Sequence, residues 1–177
     1  MIQAVSPASQ IDRALRQCRE SALHLEMRDG YMLDDPDYDA WQTGHRFDPD
    51  DRSSWWRPWL QNIVDAVERG VAVRRARIVS EPISSYIHYE YDITFPNVRV
   101  GEDVRWLPRR HATDLLLPGN DFWLFDHETL LVNHFNGNGD WIDVEPVTDQ
   151  DVIDRCASAF EAVWQRAIPH GDYKPAV

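Results

Sequence analysis

The chain has 177 residues, 43% of them hydrophobic, with 8 Trp, 6 Tyr and 6 Phe, enough apolar material for the core of one domain. Its 30 acidic residues against 18 basic ones give a formal charge of −12, which repels a phosphate backbone and makes direct nucleic-acid binding unexpected. The only lysine is Lys174, so chemistry that needs an interior lysine (a Walker A loop, a Schiff base, a Ser-x-x-Lys pair) is excluded.

Ser6-Pro7 is a helix cap followed by proline at the first helical position, and Ile11, Leu15, Cys18 and Ala22 recur at helical spacing. Leu23, Leu25 and Met27 then alternate with His24, Glu26 and Arg28, the period of a strand with one buried face. Residues 29–52 carry eight aspartates, Pro36, Pro49 and Gly44 with little periodicity, and are predicted to be a long acidic loop. Such a loop could imitate a polyanion, but solvated carboxylates on a connection are its simpler explanation. Ser53 or Ser54 starts the next helix, whose broad apolar face runs from Trp55 and Trp56 through Trp59, Leu60, Ile63, Val64 and Val67 to a stop at Gly70.

Residues 71–80 form a predicted strand on which Arg75 and Arg77 face the same way as Val71, Val73 and Val79; two arginines on an apolar face need partners. Residues 83–95 fit two states. The alternation of Ile87, Tyr89, Tyr91, Ile93 and Phe95 with polar neighbours favours a strand, while Ser84-Ser85 permits a helix start. A meander of strands follows, at Val104–Pro108, Phe122–Phe125, Thr129–Phe135 and Trp141–Val147. The last helix begins near Thr148–Asp151 and keeps its period through Val152, Cys156, Phe160, Val163 and Trp164 to Pro169; from His170 onward a loose tail is expected.

Motifs of high specificity are missing from the sequence: there is no Gly-x-Ser-x-Gly, His-Glu-x-x-His, Cys-x-x-Cys or Gly-x-Gly-x-x-Gly. The run His134 to Glu145 has the asparagine and glycine spacing of an EF-hand loop, but it starts on a histidine nitrogen that calcium disfavours, so a hairpin turn is the better reading. Cys18 and Cys156 lie in amphipathic helices as ordinary thiols, and no metal or other cofactor is expected. No apolar run approaches the roughly 18 residues of a membrane span, and the N-terminus lacks a basic-then-apolar leader; a cytoplasmic location is the expectation.

From about Val71 onward, the order Arg77-Ile78-Val79-Ser80, Gly101-Glu102-Asp103-Val104-Arg105-Trp106-Leu107-Pro108, Asp121 to Asp126 and the closing helix Phe160 to Pro169 resembles a phospholipase D-like domain. The whole chain is also similar to a family of uncharacterised actinobacterial proteins, recognised by Ser80-Glu81-Pro82, Gly101 to Pro108 and Asp121-Phe122-Trp123-Leu124-Phe125-Asp126. The first resemblance implies an α/β fold, a mixed sheet flanked by helices, with a phospholipase D-like core over 71–169 and an N-terminal helix–strand extension in a single domain of residues 1–177. It also places the catalytic His-x-Lys-x4-Asp over Gly119 to Asp126. Gly119 stands in the histidine slot and Asp121 in the lysine slot, leaving Asp126 alone matching. Without an imidazole nucleophile or a cationic clamp, transfer through a phosphohistidine has no means to proceed.

The resemblances therefore imply a non-catalytic binding or regulatory module acting through a protein partner, such as a helix-turn-helix regulator, with a homodimer also open. A divergent phosphodiesterase or other hydrolase is the alternative. The binding candidates are Arg77, Glu81, Tyr86, Glu90, Arg105, Asp121 and Asp126, which the strand layout gathers near strand ends, where open sheets bind ligands.

Overall fold

The computed structural model describes residues 6–31 and 34–176; residues 1–5, on which the expectation about a leader rests, lie outside it. Capping side chains set most of the helix starts. Ser6 accepts a hydrogen bond from the Ser9 N–H at the head of α1 (Pro7–Gln17), Asp35 caps α2 (Pro36–Gln42), and Asp51 caps the single turn α3 (Arg52–Trp55). Pro58 opens α4 (Pro58–Glu68). Ser84 caps α5 (Ser85–Asp92), α6 covers Phe95–Arg99, and Asp149 caps α7 (Gln150–Arg166) through the N–H groups of Asp151 and Val152. A side-chain oxygen at each such start satisfies backbone donors that the helix itself leaves unpaired.

Seven strands form one mixed sheet in the order β6-β5-β4-β1-β2-β3-β7. They are β1 (Ser21–Glu26), β2 (Ala72–Val79), β3 (Asp103–Pro108), β4 (Phe122–Phe125), β5 (Thr129–Phe135), β6 (Trp141–Val147) and β7 (Ile168–Pro169). β1, β2 and β3 run parallel, and the remaining pairings are antiparallel. The sheet with helices on both faces is the α/β architecture expected from the sequence.

α7 covers one face. Its Ile153, Cys156, Phe160, Val163 and Trp164 pack on Leu23, Leu25, Ala76, Ile78, Leu107, Phe122, Leu124 and Leu130. The opposite face carries two apolar islands. α1 and α4 bring Ile11, Leu15, Ile63 and Ala66 onto Ala22, Val73, Trp123, Phe125 and Leu131, while Tyr86, Ile87 and Tyr89 of α5 join Val79, Val104, Trp106, Tyr38 and Tyr173. Between the islands the sheet is polar.

Several expectations change. Parallel pairing of β2 with β3 requires a crossover, and residues 83–95 supply it as the helix α5 and the start of α6, which resolves the ambiguous stretch. The acidic segment is not a plain loop, because it contains α2, with Tyr38 buried, and ends in the Asp51 cap of α3. The tryptophan-rich helix breaks at Trp56-Arg57, where Pro58 restarts it as α4, because the residue before a proline is pushed out of the helical region. Gly70 does follow α4 in left-handed backbone, φ 88°. Residues after His170 are packed: Tyr173 is buried and stacks on Trp106 at 5.6 Å between ring centres, and the Ile83 N–H donates to the Ala176 carbonyl at 2.8 Å. Residues 134–145 close the β5–β6 hairpin, with His134 Nε2 2.8 Å from Glu145 Oε2 across it. No helix among the described residues is long and apolar enough to cross a membrane.

Candidate functional site

The polar middle of the sheet follows from strand register. Side chains alternate across a strand, so on β1 the residues Ala22, His24 and Glu26 share a face, as Val73, Arg75, Arg77 and Val79 do on β2. Parallel pairing sets His24 beside Arg75 and Glu26 beside Arg77. Glu26 accepts from Arg75 Nη1 at 2.9 Å and from Arg77 Nε. Arg75 Nε continues to Glu102 Oε1 at 2.7 Å, and Asn97 of α6 donates to the same glutamate at 2.6 Å. Arg77 reaches α5, with Nη2 2.6 Å from Glu90 Oε2 and Nη1 donating to Thr94 Oγ1 at 3.1 Å. Two arginines are thereby closed against three glutamates. Burial disfavours ionisation of Glu26, yet Arg77 and Arg75 outweigh it and hold its carboxyl well below the usual range.

Beside this network lies a cavity of about 190 Å³, lined by His24, Glu26, Arg75, Arg77 and Trp123 on the sheet, Tyr86 and Glu90 on α5, Tyr31, Asp121, Asn133, Phe135 and Trp141, and Ile11 of α1. Asp121, at the entry to β4, accepts from the Met27 N–H at 2.9 Å and from the Tyr31 hydroxyl. Burial, reinforced by Glu26 and opposed by the Tyr31 hydrogen bond, raises its carboxyl to about 6. Among the described residues Asp121 has no ion-pair partner, in contrast to Glu26, Glu90 and Glu102. His24 stacks on Trp123 with ring centres 4.1 Å apart. Burial, with help from Arg75 and Arg77, drops its pKa to about 3 against the pull of Glu26, so the imidazole is neutral at pH 7.

Three polar atoms on this cavity's lining residues are buried and make no hydrogen bond: His24 Nδ1, Asn133 Oδ1 and Trp141 Nε1. His24 and Asn133 are only 8% and 5% exposed, so solvent does not reach them freely, and an unsatisfied buried polar atom costs about 1–3 kcal/mol. Orphans of this kind call for an explanation, and three of them on one lining make this cavity the candidate site.

Of the seven residues expected from the sequence, Arg77, Tyr86, Glu90 and Asp121 meet at this cavity, and the other three do not. Glu81 lies beyond the end of β2, where it accepts from the Tyr173 hydroxyl at 2.8 Å and sits 3.8 Å from Arg110. Arg105 points to the other side of the sheet, its guanidinium 4.1 Å from the centre of the Trp164 ring on α7, because β3 register pairs it with Ala76 on the apolar face. Asp126 is at the far end of β4 from Asp121, in the β4–β5 turn, where its carboxylate accepts from the N–H groups of Arg19, Glu20 and Ser21 at 2.8–3.2 Å. The sequence reading missed Glu26, Asn133 and Tyr31 as site residues and took His24 as solvent-facing. Opposite charges at matching parity, Glu26 on one strand with Arg75 and Arg77 on another, were the signal to be found.

The arrangement holds a neutral imidazole, a partly protonated carboxyl and paired arginines around a small aromatic-walled space. Among the described residues, no three His, Cys, Asp or Glu side chains converge as a metal site requires. The fold is similar to those of several solved proteins. One is Nuc from Salmonella typhimurium, a phospholipase D family member, at 12% identity over 95% of this chain and 93% of that one, TM-score 0.52. Another is NucT from Helicobacter pylori, at 12% identity over 92% and 90%, TM-score 0.56. The archaeal chromatin protein TrmBL2 aligns at 13% identity over 93% of this chain but 51% of that one, TM-score 0.51. No curated protein matches the chain in sequence. The family model for a domain of unknown function, DUF6879, matches residues 9–175, and the chain belongs to that family.

Proposed function

We propose that the chain is a non-catalytic binding module of a regulatory system, with the sheet-face cavity as its ligand site and a protein partner, such as a helix-turn-helix regulator, as its output. The observation that carries this reading is the closure of Arg75 and Arg77 onto Glu26, Glu90 and Glu102. A phosphoryl-transfer site needs cations free to meet a substrate's charge, and these are already neutralised by carboxylates. TrmBL2, as a chromatin protein, binds DNA; the formal charge of −12 here works against carrying that role over.

One observation favours the second reading, a divergent phosphodiesterase or other hydrolase: His24 Nδ1 lies 3.5 Å from Glu26 Oε1 at the cavity, where a ligand-induced shift could orient the imidazole as a base. The two readings separate in a turnover assay on generic phosphodiesters, such as bis(p-nitrophenyl) phosphate, with and without divalent cations. The expected result is no turnover above that of His24→Ala. Turnover lost in His24→Ala or Asp121→Asn, in protein that still folds, would make the chain an enzyme. Asp126→Asn is unsuited to this test, because that carboxylate serves backbone N–H groups. For the partner, a complex rebuilt from two purified components at fixed stoichiometry is the measurement that counts.

A further inference from the structure

We propose that the sheet-face cavity takes a small organic cation with N–H donors, an alkylammonium or guanidinium group, with Asp121 as its counter-ion and Asn133 as a second acceptor. The proposal rests on the binding reading above and names the ligand class for the same site.

Charge decides first. Among the lining side chains, Glu26, Glu90 and Asp121 face Arg75 and Arg77, an excess of one carboxylate, and Asp121 is the one in no contact ion pair among the described residues, with only the weaker, more distant pull of Arg28 on it. A buried carboxylate in that position is held partly protonated until a cation arrives. An anionic ligand would meet this carboxylate while Arg75 and Arg77 are held by glutamates and Arg28, which is in no ion pair among the described residues, lies over the Phe135 ring.

Donor and acceptor counts agree. Asn133 Oδ1 is an orphan acceptor, and neutral His24 offers one ring nitrogen as a further acceptor. Together with Asp121, the cavity asks for several N–H donors close together, which an ammonium or guanidinium group supplies. Among the lining residues Trp141 Nε1 is an orphan N–H donor, which leaves room for one acceptor atom elsewhere on the ligand.

The walls fit the same ligand. Tyr31, Tyr86, Phe135 and Trp141 line the space, with Tyr31 edge-on to Phe135 at 5.3 Å. Aromatic faces attract cations within about 6 Å, and the Phe135 ring already carries the Arg28 guanidinium at 4.9 Å. A space of about 190 Å³ is below the usual range for drug-sized ligands, so it suits a cationic head group with a short chain. That head group can belong to a free amine or to a lysine or arginine side chain of a peptide.

The test titrates the full chain with butylammonium and agmatine, with butanol as neutral isostere, with inorganic phosphate, and with a blocked Gly-Arg-Gly peptide and its Gly-Lys-Gly counterpart. Calorimetry and tryptophan fluorescence at low salt read the binding. Saturable binding of at least one cation, about tenfold or more tighter than butanol, is expected, with no response to phosphate. Asp121→Asn should weaken it about tenfold to a hundredfold, the range for a charge-assisted contact, and Asn133→Leu by a smaller factor. Should Asp121→Asn fold poorly, Phe135→Leu on the cavity wall provides the second reading, again as weaker cation binding. Affinity should fall as pH drops below 6, because Asp121 then loses its charge; Tyr31, Glu26, Arg28 and the Met27 N–H are the groups that face it. Tighter binding of the free amines assigns the source to a metabolite, and tighter binding of the peptides to a side chain of a partner. Absence of saturable binding by every cation, or binding indifferent to Asp121→Asn, overturns the proposal; phosphodiester turnover would overturn the non-catalytic reading and leave this result standing on its own.

Discussion

The two faces of the sheet solve the burial problem in opposite ways. Under α7, the strands present Leu, Ile, Ala and Phe, and packing needs nothing beyond complementary volume. On the opposite face, the same strands alternate to His24, Glu26, Arg75 and Arg77, and burial is tolerable only because each charge there finds a partner. An apolar face tolerates substitution by shape alone, whereas a paired charged face fails when any one member is removed. The difference also sets apart the candidate site, since among the described residues the opposite side leaves three buried polar atoms unpaired beside one cavity.

The comparison breaks first at its strongest members. Arg77→Ala strands Glu26 and Glu90 and should cost about 3–5 kcal/mol; Phe160→Ala, which opens a void under α7, should cost about the same. Urea denaturation checks both. Replacing Glu26 and Arg77 together with Gln and Met should cost much less than the two single changes summed, while a double change under α7 should add more nearly.

Acid sharpens the contrast. His24, whose folded pKa is depressed to about 3, binds its proton more readily unfolded, so its contribution is present above about pH 6.5 and lost as pH falls toward 3. Glu26, also depressed, adds loss below its usual range. Asp121, raised to about 6, acts the other way, and stability from it grows as pH falls from about 6 toward 4. Between pH 7 and 4, His24→Gln should therefore flatten the acid loss and Asp121→Asn should steepen it, each by about 2–3 kcal/mol. Denaturation midpoints at three pH values suffice, with Phe160→Leu expected to leave the slope unchanged. The smallest effect belongs to Arg105→Ala, which removes a partly exposed cation–ring contact on Trp164 and should cost about 1 kcal/mol or less with no change in ligand binding.

Much of the fold was legible because its signals are local. Ser6-Pro7, the Asp149 cap, the alternation on β1 and the hairpin after His134 all announce themselves within a few residues. The parts that were hidden depend on distant pairing. Residues 83–95 alternate like a strand, yet α5 is required once β2 and β3 run parallel, and that direction is invisible in the segment itself. His24 and Glu26 looked solvent-facing because a polar strand face is usually wet; only the arrival of Arg75 and Arg77 from a strand some fifty residues on, and of α5 above them, makes that face interior. The seven proposed site residues divided for the same reason, since Arg105 shares a sheet with Arg77 but has the other parity.

Asp126 carries a lesson about how lineages are read. It adopts left-handed backbone at φ 52°, in a turn that gathers the chain just before β1 by three N–H contacts. Such an aspartate serves the architecture whatever chemistry the chain performs. A pattern search that scores this position by residue type alone would count a structural fastening as an active-site group.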